Sequence, residues 1–371
     1  MILSPQKVPE KRHHLWRSTP WNKMGFEQIT EASPALLLLE QRDSSIEGQE
    51  QYGHIGVANK PLPSHETVAG QAKGIDSEVE FMRSNLWHVA DSVEDAQQHI
   101  IRIDGTVRQT NLEIRCNSES TICHLHLEVT GDANLVIRIS GKAKWVGLHL
   151  SGRLGKNTHF GLGLVNDLAF DSTFIHCDDW ELARDSSLDY GALSLGSKLV
   201  KSDSRTSLLG KGAQLRQGVA VHGQLDRHSD HHIEIEHAVE HTDSTLVVNS
   251  ALDDRSKGIA TGKLQLAKNS NSCDAGQVFH NVLLGERAKA EAIPELEVLC
   301  DDVKAAHGAA CGGLNTEQMH YLQSRGLRPE EAEAMLVEGF LMDAFSNLQQ
   351  RDIIEVLRTR LVLHLTCEHL G

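Results

Sequence analysis

HLHLEV (124–129), NLVIRI (134–139), WVGLHL (145–150), GVAVHG (218–223), HIEIEH (232–237), TLVV (245–248), KLQL (263–266) and NVLL (281–284) are short apolar segments broken by Gly, Asn, Asp and Ser. They alternate at period two, the pattern of a pleated strand with one buried face, and the turn-forming residues between them end each strand. The region 97–313 therefore reads as many short strands. No amphipathic stripe of about 10 to 15 residues recurs between them, so crossover helices and a doubly wound sheet are disfavoured. A sandwich, a barrel or a β-solenoid remains. Only 4% of the chain is aromatic, and small aliphatic side chains are what stacked coils bury in thin layers along a continuous axis. There is no strict hexapeptide repeat, which counts against a left-handed helix of hexapeptide coils. The looser spacing predicts a mainly-β fold, a right-handed parallel β-helix flanked by N-terminal and C-terminal α-helical segments.

The texture changes on both sides of this core. Residues 1–96 mix helix-like pieces with a polar stretch at 41–51 that has no apolar period and reads as a linker or mobile loop. Residues 314–371 carry helix signals throughout. Thr316 caps a short helix that ends at Gly326, and Pro329 with Glu330 and Glu331 suits the first turn of a second. Three-and-four spacing puts Met335, Leu336, Gly339, Phe340 and Ala344 on one face of that second helix, and 352–370 forms a third. The expected divisions are 1–96, 97–313 and 314–371. A chain of 371 residues exceeds the roughly 250 to 300 that one compact core serves, and an elongated solenoid meets that limit.

Composition excludes several functions. With 36 Lys+Arg against 51 Asp+Glu the net charge is -15, which repels phosphate backbones; no aromatic residues interleave the basic ones, so nucleic acid is not an expected partner. The longest purely apolar run, 35–39, is too short for a bilayer span of about 20 residues or a signal-peptide core of about 7 to 15. A soluble, cytoplasmic protein with no membrane partner is expected. Lys7, Lys11, Arg12, Arg17 and Lys23 have the charge of a transit peptide, but Glu10 and scarce serine argue against one. The seven cysteines, Cys116, Cys123, Cys177, Cys273, Cys300, Cys311 and Cys367, are odd in number, scattered, and form no C-x-x-C pair, as befits free thiols in a reducing compartment.

Motifs of common chemistries fail in detail. GRLGKNT (152–158) lacks the first glycine of a phosphate-binding loop and has Asn157 where Ser or Thr should meet magnesium, and GLG (161–163) lacks a third glycine. Both read as solenoid turns. His237, Glu240 and His241 spell H-x-x-E-H, but the alternation of Ile233, Ile235 and Val239 says strand, where four residues span about 13 Å, too far for shared zinc bonds of about 2 Å. Asp301 and Asp302 point to opposite faces if they lie on a strand. Cys116 and Cys123 flank a turn and read as core. Cys300, His307 and Cys311 bracket one segment and offer two soft ligands and one borderline ligand to iron or a sulfur species, if the fold brings them together.

The stretch 294–326, PELEVLCDDVKAAHGAACGGLNTEQMHYLQSRG, resembles the signature region of the SufB/SufD family of iron–sulfur cluster assembly scaffold proteins. The matching positions are Pro294 to Glu297, Asp301 to Lys304, His307 to Ala309, then Tyr321, Leu322, Ser324, Arg325 and Gly326. The resemblance extends weakly through 281–291 and back to HHIEIEHAVEH, with an echo in WRSTP (16–20). The H-G-A step at His307 and the chain length are most like the SufD branch. That resemblance implies a right-handed parallel β-helix that pairs with a SufB-like subunit, or with a second copy of itself, while the C-terminal helices dock onto a SufC-like ABC ATPase. ATP hydrolysis then belongs to the partner, and this chain is a scaffold and iron-entry component rather than an enzyme. The family's interface histidine maps onto His307, with Cys300 and Cys311 as further metal-ligand candidates for iron or a transient iron–sulfur cluster at the subunit interface. Arg325, Met335 and Phe340 are the candidate partner contacts, and flavin dependence is open. The sulfur-receiving cysteine of the SufB branch has no counterpart, since its neighbourhood reads Val278, Phe279, His280. A SufB-like homodimeric scaffold and a β-helix polysaccharide-active enzyme are the alternatives; few aromatic rings are available to stack on sugars.

Overall fold

A constant pairing offset builds the fold: Thr173 lies beside Leu199, Leu199 beside His228 and His228 beside Lys257, so 26 to 29 residues return the chain to the same place one layer on. The computed structural model describes residues 18–25, 32–41, 54–61 and 97–367, with Ile29, Met82, Arg83 and Leu86. Three strands come first, β1 (Ser33–Pro34), β2 (Leu36–Gln41) and β3 (His54–Pro61). The regular coils begin with β4 (Gln97–Asp104), β5 (Val107–Cys116), β6 (Ser120–Val129), β7 (Ala133–Gly141), β8 (Trp145–Leu154) and β9 (His159–Leu168). They continue through β10 (Thr173–Leu182), β11 (Ser187–Ser194), β12 (Leu199–Leu208), β13 (Gln214–Gly223) and β14 (His228–His237). The last are β15 (Asp243–Leu252), β16 (Lys257–Leu266), β17 (Cys273–Leu283), β18 (Lys289–Val298) and β19 (Val303–Gly312). Even-numbered strands β4 to β18 form one parallel sheet and odd-numbered strands β5 to β19 the other, giving a parallel β-solenoid of eight coils. β3 closes the first sheet and β2 the second, both antiparallel to their neighbours.

Each coil buries one side of each strand. Leu125, Leu127 and Val129, then Leu148 and Leu150, then Phe174, Trp180 and Leu182 follow one another inward, and each fully buried Leu, Ile or Phe stabilises by about 1.5 to 3 kcal/mol. One corner of successive coils turns through a left-handed residue, in order Asn157, Asp185, Gly212, His241 and Ser272. The backbone N–H of each donates to a carbonyl of the next coil. Five different residue types share this duty, which is why no repeat is visible in the sequence.

Three helices follow, α1 (Thr316–Ser324), α2 (Pro329–Asp343) and α3 (Arg351–Cys367). α2 and α3 cover the outer face of the second sheet. Val136, Val165, Leu193, Ala220 and Val247 meet Val337, Leu341, Phe345, Ile353 and Leu357 there. The seat is flat because Gly163, Gly191 and Gly218 pair in register along the sheet. A Cβ at Gly191 would lie 2.5 Å from Leu357, and one at Gly218 would lie 2.2 Å from the Ala344 carbonyl. GLG (161–163) is thus part of strand β9 and of this helix seat, not a turn as its spacing had implied. The buried face of α2 is also rotated from the expected one: Ala332, Val337 and Leu341 are buried while Met335 and Gly339 face solvent. The sheet, rather than the longest apolar stripe, selects the face.

Residues 18–25 lie on the outer face of the first sheet, where Trp21 and Met24 pack with Met82, Leu86, Trp145 and Ile175. Ser18 Oγ donates to Glu291 at 2.6 Å, Thr19 donates to Asp230, and Trp145 Nε1 donates to the Met24 carbonyl at 3.0 Å. Of the WRSTP echo, positions 16 and 17 lie outside the described residues; of the polar stretch 41–51, Gln41 ends β2 and the remainder lies outside them. Among the described residues no helix is long and apolar enough to cross a membrane.

Candidate functional site

β18 and β19 end their sheets, each with a hydrogen-bonded neighbour on one side only. Register fixes where their side chains point. His307 pairs with Gln277 and Ala305 with Ala275, and Cys273, Ala275 and Phe279 belong to the interior of the coil below. His307 therefore sits on the inward row of the last coil and is exposed because no described coil lies above it. The rest of that row is small or apolar: Ala292, Leu296, Val303 and Ala305 are only half-buried against the core. At the nearby corner Val298 and Leu299 are 40% and 46% exposed. A Cβ added at Gly308 or Gly312 would meet nothing within 4 Å.

The sequence candidates fall on this end in two groups. His307 and Cys311 share the inward row of β19, four residues apart, and both are exposed; along a strand that spacing is about 13 Å. Cys300 sits at the corner before β19, half-buried, its Sγ 3.2 Å from Ser270 Oγ and 3.7 Å from the Ser270 carbonyl. Among the described residues no three His, Cys, Asp or Glu side chains are grouped closely enough to hold a metal ion, so any ion at His307 needs ligands from elsewhere. Asp301 and Asp302 lie in the corner rather than on a strand, and Asp302 accepts from Ser272 Oγ at 3.1 Å. Gln277, which sequence reasoning passed over, lies directly beneath His307. Its Nε2 donates to the Glu295 carbonyl at 2.8 Å while its buried Oε1 has no partner. A polar residue on an inward row has no sequence signal of its own until the register is known.

The H-x-x-E-H residues are ordinary coil. His237 ends β14 buried, its two ring nitrogens each 2.7 Å from the hydroxyls of Thr242 and Ser244, and His241 occupies a left-handed corner. Cys116 and Cys123 are interior, and burial pushes the Cys116 thiol up to about 12.

A second exposed surface lies on the helices that follow β19. α1 buries none of its residues and packs against α2. Arg325 caps its C-terminus with the guanidinium 5.1 Å from the Tyr321 ring, and Tyr321 and Met335 are 57% and 51% exposed. Phe340 points the other way: it is half-buried against the helix–sheet core, and its carbonyl accepts from Asn249 Nδ2 at 2.7 Å. Of the three candidate contacts, Arg325 and Met335 share this exposed surface while Phe340 anchors α2.

Comparison with known proteins agrees with this anatomy. The family described as "SUF system FeS cluster assembly, SufBD core domain" matches residues 116–340, the coils from the end of β5 through most of α2. The iron-sulfur cluster assembly protein SufD of Escherichia coli (strain K12) is 21% identical over 381 residues, covering 95% of this chain and 88% of its own. SufD of Bacillus subtilis (strain 168) is 24% identical over 243 residues, covering 65% of this chain and 56% of its own. An iron-sulfur cluster assembly SufBD family protein of Staphylococcus epidermidis is 27% identical over 197 residues, or 52% and 40% of the two chains. With more than half its length matched by that core domain, the chain belongs to the SufBD family of SUF iron–sulfur cluster assembly proteins and is most like SufD.

Proposed function

We propose that this chain is a SufD-like scaffold subunit whose open coil end stacks on a SufB-like solenoid, with α1 and the exposed side of α2 docking a SufC-like ABC ATPase. The observation that supports it is the exposed inward row of β19. An imidazole stands there among small apolar side chains, with one backbone edge unpaired. An unpaired edge adds strands from another chain readily, and a coil laid over it would bury His307 at the junction. Iron and sulfide are then cargo: a neutral imidazole is a competent ligand for ferrous iron, Cys311 offers a thiolate further along the row, and the partner completes the ligand set. ATP hydrolysis falls to the ATPase, and its motion is transmitted through the helices to the same end of the solenoid. Cluster assembly takes place in the cytoplasm.

Co-expression with SufB-like and SufC-like proteins, followed by native mass measurement and iron and sulfide analysis, tests this. A complex of all three is expected, with His307→Ala lowering iron and sulfide while leaving the mass unchanged. A homodimer that binds the ATPase alone would replace the heteromeric reading with a SufB-like homodimeric one. Unchanged iron and sulfide in the variant would remove His307 from the site.

A further inference from the structure

Midway along the solenoid, far in sequence from the open end, the apolar interior is interrupted. His176, Ser202 and His231 stand side by side on β10, β12 and β14, and Asp178 lies beside Ser204 in the next inward row. Tyr190 of β11 and Gln217 of β13 face them from the opposite sheet. Between the two sheets is a cavity of about 30 Å³.

Part of this group is satisfied internally. Tyr190 Oη donates to Asp178 Oδ2 at 2.7 Å, Ser204 Oγ donates to Asp178 Oδ1 at 2.5 Å, and Gln217 Nε2 donates to Ser204 Oγ at 3.2 Å. His176 Nδ1 lies 3.1 Å from Ser202 Oγ. Three buried atoms at the cavity have no hydrogen-bond partner: His176 Nε2, His231 Nε2 and Gln217 Oε1. Exchanging the oxygen and nitrogen of the Gln217 amide would only trade an orphaned acceptor for an orphaned donor. His176 Nε2 is 3.4 Å from Asp178 Oδ2 without bonding to it. A buried polar group left dry forfeits the hydrogen bonds it would make in water, so three together call for a ligand that both donates and accepts.

We propose that this lumen cavity is a hydration site, holding ordered water that bridges His176 Nε2, His231 Nε2 and Gln217 Oε1 across the two sheets. The volume admits about two molecules, at roughly 10 to 15 Å³ each, and a buried water typically makes about three hydrogen bonds. Both signs of hydrogen bond are needed, because neutral imidazoles present a donor at one nitrogen and an acceptor at the other. Burial holds both rings neutral, pushing His176 down to about 3 and His231 down to about 4. A metal ion is the poorer fit, since no three ligating side chains among the described residues are grouped for one. The site depends on neither end of the solenoid and so stands apart from the assembly reading.

The test is a crystal structure of the wild-type chain at a resolution that shows water, with a second crystal pressurised with xenon. Discrete peaks about 2.7 to 3.2 Å from Gln217 Oε1 and from a histidine Nε2, with xenon excluded, are the expected result. Xenon in the cavity, or a cavity empty of density, would show it to be dry and overturn the proposal; so would an anomalous signal from a bound metal. Gln217→Leu should remove the peak nearest that side chain and leave the coils in place, and a peak that stays where it was would show that Gln217 does not hold it.

Discussion

The two ends of the solenoid are finished differently. At the N-terminal end β2 and β3 run antiparallel to the strands they join, reversing the chain so that no further parallel coil can follow in register. They lay Leu37, Leu39 and Ile55 over the first coil as half-buried cover. Such features discourage another chain from adding on. At the C-terminal end β18 and β19 continue the parallel register to their last residues with no reversal. A coil buries its inner row only under the next coil. One end of the molecule carries its own cover, and the other presents a row that a second protein can complete.

The sharpest way to break this contrast is to charge each end in turn. Ala309→Arg places a cation on the exposed inward row of β19. It should weaken pairing with a SufB-like solenoid by about 100-fold or more, since a charge left unpaired in a closed interface costs several kcal/mol. The isolated chain should melt nearly as before. Leu39→Ala in β2 should do the reverse, lowering stability by about 1 to 2 kcal/mol, below the core Leu→Ala range of about 2 to 5 kcal/mol because the site is half-buried, and leaving pairing intact. Size-exclusion chromatography with light scattering and urea unfolding read both quantities. If Ala309→Arg destabilises the lone chain as much as Leu39→Ala does, the open end is intramolecular core and the contrast fails.

The long sides are finished differently again, by the N-terminal segment on one sheet and helices on the other. The helical cover is fastened by His222 of β13, whose Nδ1 lies 3.0 Å from Nε2 of His364 in α3, one neutral ring donating to the other. Arg227, Arg360 and Asp167 surround the pair, with Asp167 already bound by Arg138 and Arg360. Burial, reinforced by the His364 ring and Arg227, pushes His222 down to about 3, and burial, reinforced by Arg227 and Arg360 and opposed by Asp167, pushes His364 down to about 4. Unfolded imidazoles bind a proton near 6.5. The latch therefore contributes fully above that pH and is progressively lost as pH falls from 6.5 towards 4 and then 3. Amide exchange in α3, corrected for intrinsic rate, should quicken by about tenfold or more between pH 7 and 4.5. His364→Leu should flatten that dependence, and an unaltered slope would place the acid sensitivity elsewhere.

How far this was legible depends on what sets each feature. Alternation in HLHLEV or HIEIEH reports one buried face per strand, so strand content and the solenoid could be read directly. Strand direction at β2 and β3 could not, because LLLL at 36–39 has no alternation to read and its pairing partner, β5, is about 70 residues away. The glycine seat was invisible for the same reason: Gly163, Gly191 and Gly218 are neighbours only through register. His307 was found by its family motif, whereas its exposure on an inward row is a consequence of being in the last coil. Cys300 shows the opposite case. Its position in the sequence made it a candidate ligand beside His307, but the corner geometry ties it to Ser270 instead.

The smallest expected effect separates the open end from the helices that hang beside it. Asn315, rather than Thr316 as the sequence pattern implied, caps α1 three residues after β19 ends, and its Oδ1 accepts from the backbone N–H of Glu317 at 2.9 Å and of Gln318 at 3.1 Å. α1 has no buried residue, so this cap supplies much of what holds its first turn. Asn315→Ala should cost about 1 kcal/mol, seen as about fivefold faster amide exchange confined to α1, with unfolding of the coils unchanged. If α1 serves only the ATPase, the variant weakens ATPase docking and leaves SufB-like pairing as it was. If pairing weakens in step, α1 is part of the end face, and the open coil and the exposed helix form one continuous surface rather than two.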